Sequence, residues 1–230
     1  MLGLPLLDAA QAQKHVTVNE ALSRLDAGVA VTADGVGIDT PPSAVDGSVY
    51  VIGDTPTGEW SDHAGEIAFG IGGGWAFITP TPGKRLTDGS DGRVYVYDGF
   101  AWRDGLVAGS TIGAFTAARL LYVDETLSSG ISHVSAAVIP QNAIVIGVTG
   151  RVIEEIVGPA TWTLGVAGAT DRYGSGLGTA VGSYALGATG SPLAYYTDTP
   201  IELHATGGSF SAGRVLIAIH VIEISPPVAL

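Results

Sequence analysis

Short runs of alternating apolar and polar residues fill most of this 230-residue chain and predict many β-strands. β-Branched residues are common in these runs, and 34 glycines and 12 prolines punctuate them. From Arg119 onward, about eight such runs follow one another, a spacing typical of sandwiches and jelly rolls. We therefore expect a mostly β protein whose residues 119–230 form a jelly-roll-like antiparallel β-sandwich.

The last of these runs, VLIAIHVIEI at residues 215–224, is apolar at nearly every position. Such a strand is buried on both faces or packs against a neighbouring subunit. We expect it to lie at the centre of its sheet.

One amphipathic helix is predicted near the start of the chain. Thr17 stands three positions before Glu20, the spacing of a capping box, which makes Thr17 the expected N-cap. Val18, Leu22, Leu25 and Val29 then recur at helical spacing. A helix of about three turns is marginal alone in water. We therefore expect this apolar stripe to pack on hairpins of its own chain or on copies of itself, as an anchor and trimerisation element within residues 1–37.

The next segment contains a repeated hexapeptide, DGSVYV at residues 46–51 and DGRVYV at residues 91–96. Each copy begins with an Asp-Gly turn pair and continues as an alternating strand, which predicts two hairpins in a small β-domain over residues 38–106. Two copies are too few for a solenoid or propeller. Residues 107–118 are rich in Gly, Ala, Ser and Thr, and we expect them to be a linker.

Composition excludes several classes of function. A formal charge of −12 disfavours nucleic-acid binding, and no run of 18 apolar residues is present for membrane insertion. With no cysteine, disulfides and thiolate chemistry are absent. The first ten residues lack the basic region of a signal peptide, so export by that route is not expected.

The N-terminal letters also resemble a known family. LLDAAQAQKHVTVNEALSRLDAGV (6–29) and the TGEW to TPTPG segment (57–83) resemble short structural proteins of alphaproteobacterial prophages and gene transfer agents, long catalogued as a domain of unknown function. Residues 151–220 are similar to the C-terminal part of longer members. The matching N-terminal positions are Gln11, Gln13, Lys14, His15, Asn19, Glu20, Leu22 and Asp26. Asp62-His63 departs from the glycine-rich segment expected there.

The resemblance implies a head spike or tail fibre of a phage-like particle, generally a homotrimer, with no catalytic residues. Its N-terminal end would attach to other particle proteins, and its β-rich end would face the host. Such particles assemble in the cytoplasm and leave by lysis. The resemblance implies these properties of assembly, orientation and release, and the composition does not.

A carbohydrate site is the leading hypothesis for the C-terminal domain, because aromatic faces stack on sugar rings while charged groups bond to hydroxyls. The candidates are Trp162, Asp171, Arg172, Tyr173, Tyr184, Tyr195 and Tyr196. The alternative is that the aromatic residues fill the core or a subunit seam. Trp60, Trp75 and Trp102 could likewise form a sugar platform, although a small domain needs them for its core.

No catalytic, metal or cofactor site is expected. Glu154 and Glu155 are adjacent on a predicted strand, so they point to opposite faces and cannot converge on one glycosidic bond. Histidines at 204 and 220 fit satisfied strand residues better than ligands. The overall expectation is a trimeric spike or fibre that binds host surface polysaccharide, with a passive adaptor and a depolymerase as alternatives.

Overall fold

The computed structural model describes residues 14–29 and 32–228. Residues 1–13, which include Gln11 and Gln13, lie outside the described residues. The chain forms two compact units. The N-terminal unit reaches to Gly113 and includes Pro227 and Val228, and the C-terminal unit runs from Ala114 to Pro226.

An α-helix (α1) spans Lys14–Val29. Thr17 lies inside this helix, so it is not the N-cap that the Thr17 to Glu20 spacing predicted. A capping-box spacing can occur within a helix because neither threonine nor glutamate prevents helix continuation. No helix among the described residues has both the length and the hydropathy needed to cross a bilayer.

The N-terminal unit contains nine strands and a 3-10 turn at Gly58–Trp60 among its described residues. The strands are Thr32–Ala33 (β1), Gly35–Ile38 (β2), Val49–Ile52 (β3), Ile67–Ile71 (β4), Gly74–Ile78 (β5), Arg85–Asp88 (β6), Val94–Tyr97 (β7), Trp102–Asp104 (β8) and Leu106–Gly109 (β9).

Two sheets make up most of this unit, with strand orders β1-β6-β7-β8 and β2-β3-β4-β5. The β1–β6 and β2–β3 pairs are parallel, and the other neighbours are antiparallel. The two hexapeptides contribute β3 to one sheet and β7 to the other. Asp98-Gly99, an Asp-Gly pair of the kind that favours tight hairpin turns, lies between the antiparallel strands β7 and β8.

Residues on both faces of the β2-β3-β4-β5 sheet are buried, and because successive strand residues point to opposite faces they belong to two separate cores. One core contains Val51 and Phe69 together with Leu86 of the other sheet. The opposite core contains Ile52 and Trp60. Trp60 is fully buried and meets Trp75 edge-on at a ring-centroid distance of 5.1 Å, so these two tryptophans serve mainly as core residues.

The C-terminal unit is built from eight strands. They are Phe115–Thr126 (β10), Ser132–Ile139 (β11), Ile144–Val157 (β12), Thr161–Val166 (β13), Ala169–Leu177 (β14), Tyr184–Ala194 (β15), Thr199–Thr206 (β16) and Ala212–Ser225 (β17).

These strands form two sheets with antiparallel neighbours. The β10 sheet has the order β15-β12-β17-β10, and the β13 sheet has the order β11-β16-β13-β14. The expectation of a mostly β protein is therefore confirmed. Inward-facing residues of both sheets fill one core, in which Val215, Ile217 and Ile219 of β17 meet residues of the β13 sheet such as Leu164 and Leu203. Each such side chain contributes about 1.5–3 kcal/mol by leaving water.

The final strand differs in part from the sequence prediction. It lies between β10 and β12, and its inward residues are buried in the core. Its outward residues are not covered by the chain, since Leu216 is 41% and Ile224 is 62% exposed. Burial on both faces is thus wrong for one isolated chain.

The segment predicted as a linker, residues 107–118, contains most of β9 and the first part of β10. The small residues there do not prevent strand formation, because pairing with β17 supplies the hydrogen bonds. Ala117, for example, is buried and lies opposite Glu223. The boundary between the two units falls at Gly113 and Ala114.

Candidate functional site

Three of the predicted sugar-binding aromatics are core residues. Trp162 is fully buried, and its indole N–H donates to the carbonyl of Gly178 at 2.9 Å. Tyr173 and Tyr195 are buried with their hydroxyl oxygens 2.7 Å apart. Burial and the bond to Tyr195 raise the pKa of Tyr173. None of the three has a ring face available for a sugar at the surface of this chain, so the alternative packing role applies to them.

The other four predicted sugar contacts are exposed but do not share one strand or one sheet. Asp171 and Arg172 lie in β14, a strand of the β13 sheet, rather than in a loop. Tyr184 begins β15 in the β10 sheet and is 58% exposed, and Tyr196 follows β15 with 76% exposure. All four side chains are therefore exposed, and they are distributed over β14, β15 and the segment that follows β15.

A larger apolar surface covers the outward side of the β10 sheet, and we call it the outer face. Its large members are Leu120 and Tyr122 of β10, Tyr184 and Leu186 of β15, and Leu216 of β17. Register brings them together across the sheet: Tyr122 pairs with Ala218, Ala218 with Thr149, and Thr149 with Leu186. Part of the outer face is a shallow depression of ≈ 490 Å³.

Charged groups lie within the outer face and beside it. Arg151 lies opposite both Tyr184 and Leu216 in the register, and its guanidinium is 5.7 Å from the ring centre of Tyr184. Arg214 bonds to Asp124 at 2.6 Å and to Glu154 at 3.2 Å. Hydrogen bonds from Arg214 lower the pKa of Asp124, so this pair stays ionised. Exposed apolar side chains accompanied by arginine and other polar groups are common in protein–protein interfaces.

The predicted anchor stripe on α1 is largely uncovered. Val18 is 40%, Leu25 is 54% and Val29 is 41% exposed, whereas Leu22 is half-buried. The helix instead turns Asp26 inward, with 4% exposure. Lys84 donates from its ammonium group to the carbonyl of Gly28 near the helix end. Polar contacts therefore hold this helix to its own unit, and most of the apolar stripe stays accessible.

The N-terminal unit contains an open cleft of ≈ 690 Å³, which we call the aromatic cleft. Tyr95, Tyr97, Phe100 and Trp102 line it from one side, and Asp39, Asp54 and Thr55 from the other. Arg103 also contributes to the lining. The rings of Tyr97 and Trp102 are 5.5 Å apart and tilted by 54°.

Two carboxylates fix the walls of the aromatic cleft. Asp98 accepts hydrogen bonds from the amides of Phe100 (2.8 Å) and Ala101 (2.7 Å) and from Nε of Arg103 (2.9 Å). Burial raises the pKa of Asp98, but these bonds outweigh it and the net pKa is lowered. On the facing side, Asp39 accepts from both the amide and the hydroxyl of Thr55.

Sequence reasoning missed most of both surfaces. The alternation of side-chain direction in β10 and β15 gave a signal for Tyr122 and Leu186, because each lies an even number of positions from other outward-facing residues of its strand. No local signal pointed to the aromatic cleft, whose walls come from residues far apart in the chain. Of the three N-terminal tryptophans, only Trp102 lines it.

No cluster of three or more possible metal ligands is found in the part of the chain that the structure describes. Glu154 and Glu155 are both exposed, and Glu154 lies opposite Arg214 in the register. Glu202 pairs with His204 at 2.9 Å, while His220 lies 3.3 Å from the Thr149 hydroxyl. The histidines at 204 and 220 thus have ordinary strand partners.

Comparisons with known proteins give one family match. The model for "Protein of unknown function (DUF2793)" matches residues 18–103, which cover the helix from Val18 onward and most of the N-terminal unit. No curated protein matches the chain.

Two solved structures resemble parts of the chain. One is described as "Cyanophage Pam1 capsid asymmetric unit", with 21% identity, a TM-score of 0.37, and coverage of 51% of this chain and 91% of that chain. The other is described as "Bacillus endospore appendages form a novel family of disulfide-linked pili", with 14% identity, a TM-score of 0.21, and coverage of 51% and 97%. At these TM-scores neither likeness supports an argument about fold or function.

Proposed function

We propose that this protein is a structural spike or fibre subunit of a phage-like particle, and that it works as a homotrimer attached to host surface polysaccharide. The observation that carries the structural role is the outer face of the β10 sheet. Several large apolar side chains exposed on one face of a sheet favour an interaction site over a protein that works alone.

Self-association is the use of the outer face that we favour. Leu186 is 73% exposed, so its burial in a contact would contribute about 1–2 kcal/mol, and Tyr122 at 64% would contribute a similar amount. In a closed trimer each contribution is made three times, because every subunit presents the same residues. The exposed stripe of α1, formed by Val18, Leu25 and Val29, offers a second surface for the same assembly or for a particle protein.

The C-terminal unit supports this proposal by its topology. Its eight strands form two sheets with the orders β15-β12-β17-β10 and β11-β16-β13-β14, and we propose that these two sheets make a jelly roll. We propose that the helix within residues 1–37 attaches to the particle, and that the small β-domain of the N-terminal unit and the C-terminal unit both stay accessible to the host. The particle would assemble in the cytoplasm and be released by lysis, without membrane insertion or nucleic-acid binding by this subunit.

Polysaccharide attachment would operate by multivalency. Weak sites on three subunits, repeated over many copies on a particle, act together through their effective concentration. The chain's charge of −12 favours neutral polysaccharides, because acidic ones would be repelled.

Binding to purified surface polysaccharide from host strains, measured by co-sedimentation, tests the attachment function. We expect the full chain to pellet with polysaccharide from permissive strains while the viscosity of the solution stays constant. No pelleting with any strain would contradict attachment and favour the adaptor. A falling viscosity would contradict a purely structural role and favour the depolymerase.

A further inference from the structure

We infer that the aromatic cleft of the N-terminal unit is a binding site for a neutral pyranose sugar. This inference rests on the proposed attachment function and gives it a specific site. The first support is size: at ≈ 690 Å³ the cleft lies within the range of small-molecule sites and holds one or two sugar rings.

The lining has the chemistry that a sugar ring requires. The apolar C–H face of a pyranose packs on aromatic rings, and its hydroxyl groups donate to carboxylates. Phe100 is 45% exposed and lines the cleft together with Tyr97 and Trp102, whose rings are 5.5 Å apart. Asp54 is exposed and lines the cleft from the facing side.

The cleft is held open before any ligand enters. The three bonds to Asp98 fix the turn that presents Phe100, and the side chain of Asp98 is only 3% exposed. The Trp102 indole N–H donates to the carbonyl of Gly65 at 2.9 Å, which sets the orientation of that ring. On the facing side, glycine at position 53 allows the Asp39 side chain to approach the backbone closely, since a Cβ there would lie 2.2 Å from a carboxylate oxygen of Asp39. A preformed site loses little conformational freedom on binding.

The charges in the cleft select among sugars. Its charged lining residues are Asp39, Asp54 and Arg103, and Arg103 is already bonded to Asp98. The excess of carboxylates repels uronic acids and sialic acids and leaves neutral hexoses and deoxyhexoses as the fitting class.

Saturation-transfer NMR with the full chain tests this inference. The probes are methyl glycosides of glucose, galactose, mannose and rhamnose, with glucuronic acid as the acidic probe. We expect at least one neutral glycoside to bind with a dissociation constant on the order of 1 mM, and glucuronic acid not to bind.

Two variants locate the site. Phe100→Ala should weaken binding by about 2- to 10-fold because it removes an aromatic face. Asp54→Ala should weaken it by about tenfold, since it removes a charged acceptor. Both residues are exposed, so neither change removes a core side chain. Tyr196→Ala changes a 76% exposed residue that the sequence predicts as a sugar contact in the C-terminal unit, so it tests the rival site; the cleft assignment predicts that this variant binds like the unaltered chain.

Binding that survives both cleft variants, or that is lost in Tyr196→Ala alone, would overturn the cleft assignment. If the unaltered chain binds no neutral glycoside yet pellets with host polysaccharide, the cleft assignment fails while the attachment function stands. If it binds neither, both fail.

Discussion

Glu125 forms a polar contact between the two sheets of the C-terminal unit, and its replacement should be strongly destabilising. It lies in β10 and is 7% exposed. Its carboxylate accepts hydrogen bonds from the Ser135 hydroxyl at 2.7 Å and the Ala136 amide at 2.6 Å, and contacts Nε2 of His133 at 2.8 Å. All three partners lie in β11, which belongs to the β13 sheet.

The size of the effect follows from these contacts. A hydrogen bond to a charged group contributes about 1.5–3 kcal/mol, and breaking a buried charged cluster by removing one partner costs about 3–5 kcal/mol. We therefore expect Glu125→Ala to lower the free energy of unfolding by about 3–5 kcal/mol. Glu125→Gln keeps an oxygen for Ser135 and Ala136, so it should cost less, about 1–3 kcal/mol.

The effect of Glu125→Gln should depend on pH. Burial raises the pKa of Glu125, but bonds from Ser135, His133 and Ala136 outweigh burial, so its pKa in the folded state lies below 4.5. A lowered folded pKa means that the carboxylate stabilises the fold above pH 4.5, and that this contribution is lost as pH falls through the folded pKa. The stability difference between the unaltered chain and the variant should therefore narrow on acidification.

Urea denaturation followed by tryptophan fluorescence, at neutral pH and at several acidic values, measures this difference. Glu155→Gln is the matched control, since Glu155 is exposed in β12 and its change should stay within about 0.5 kcal/mol. Equal stability of Glu125→Gln and the unaltered chain at neutral pH would refute the reasoning. A difference that does not change with pH would refute the role given to the charge.

Two further core changes should have measurable effects on unfolding. Tyr173→Phe leaves the buried Tyr195 hydroxyl without its partner and should lower the free energy of unfolding by about 1–3 kcal/mol. Replacing both tyrosines by Phe should lower it by less than the sum of the two single changes. Additive losses in denaturant melts would argue against coupling between the two hydroxyl groups. Gly187→Ala places a Cβ 2.3 Å from the Tyr173 carbonyl oxygen and 2.6 Å from that of Val148, so we expect a loss of about 1–3 kcal/mol. Gly190→Ala adds a Cβ with no atom within 4 Å apart from its chain neighbours, so it should be nearly neutral in the same denaturant melts.

The sequence predicted strands more reliably than it predicted surfaces. The sequence located β17 by its run of apolar residues and a hairpin by the Asp98-Gly99 turn pair. It could not separate Trp162 and Tyr173, which are buried, from Tyr184 and Tyr196, which are exposed.

Aromatic residues occupy both environments, and only the pairing of distant strands decides which one applies. The same limit explains the outer face, where strand pairing assembles Tyr122, Leu186 and Leu216 from three separate segments. It also explains the segment at residues 107–118, where β17 supplies the pairing that makes β10 a strand.

The mass of the protein in solution tests the central claim most directly. Light scattering coupled to size-exclusion chromatography, on the unaltered chain and on Leu186→Arg, reports whether the outer face joins copies of the chain. We predict a mass three times the 23.3 kDa of one chain for the unaltered protein and a shift to the single-chain mass for Leu186→Arg. A single-chain mass for the unaltered protein at high concentration, or a trimer that Leu186→Arg leaves intact, would contradict the claim.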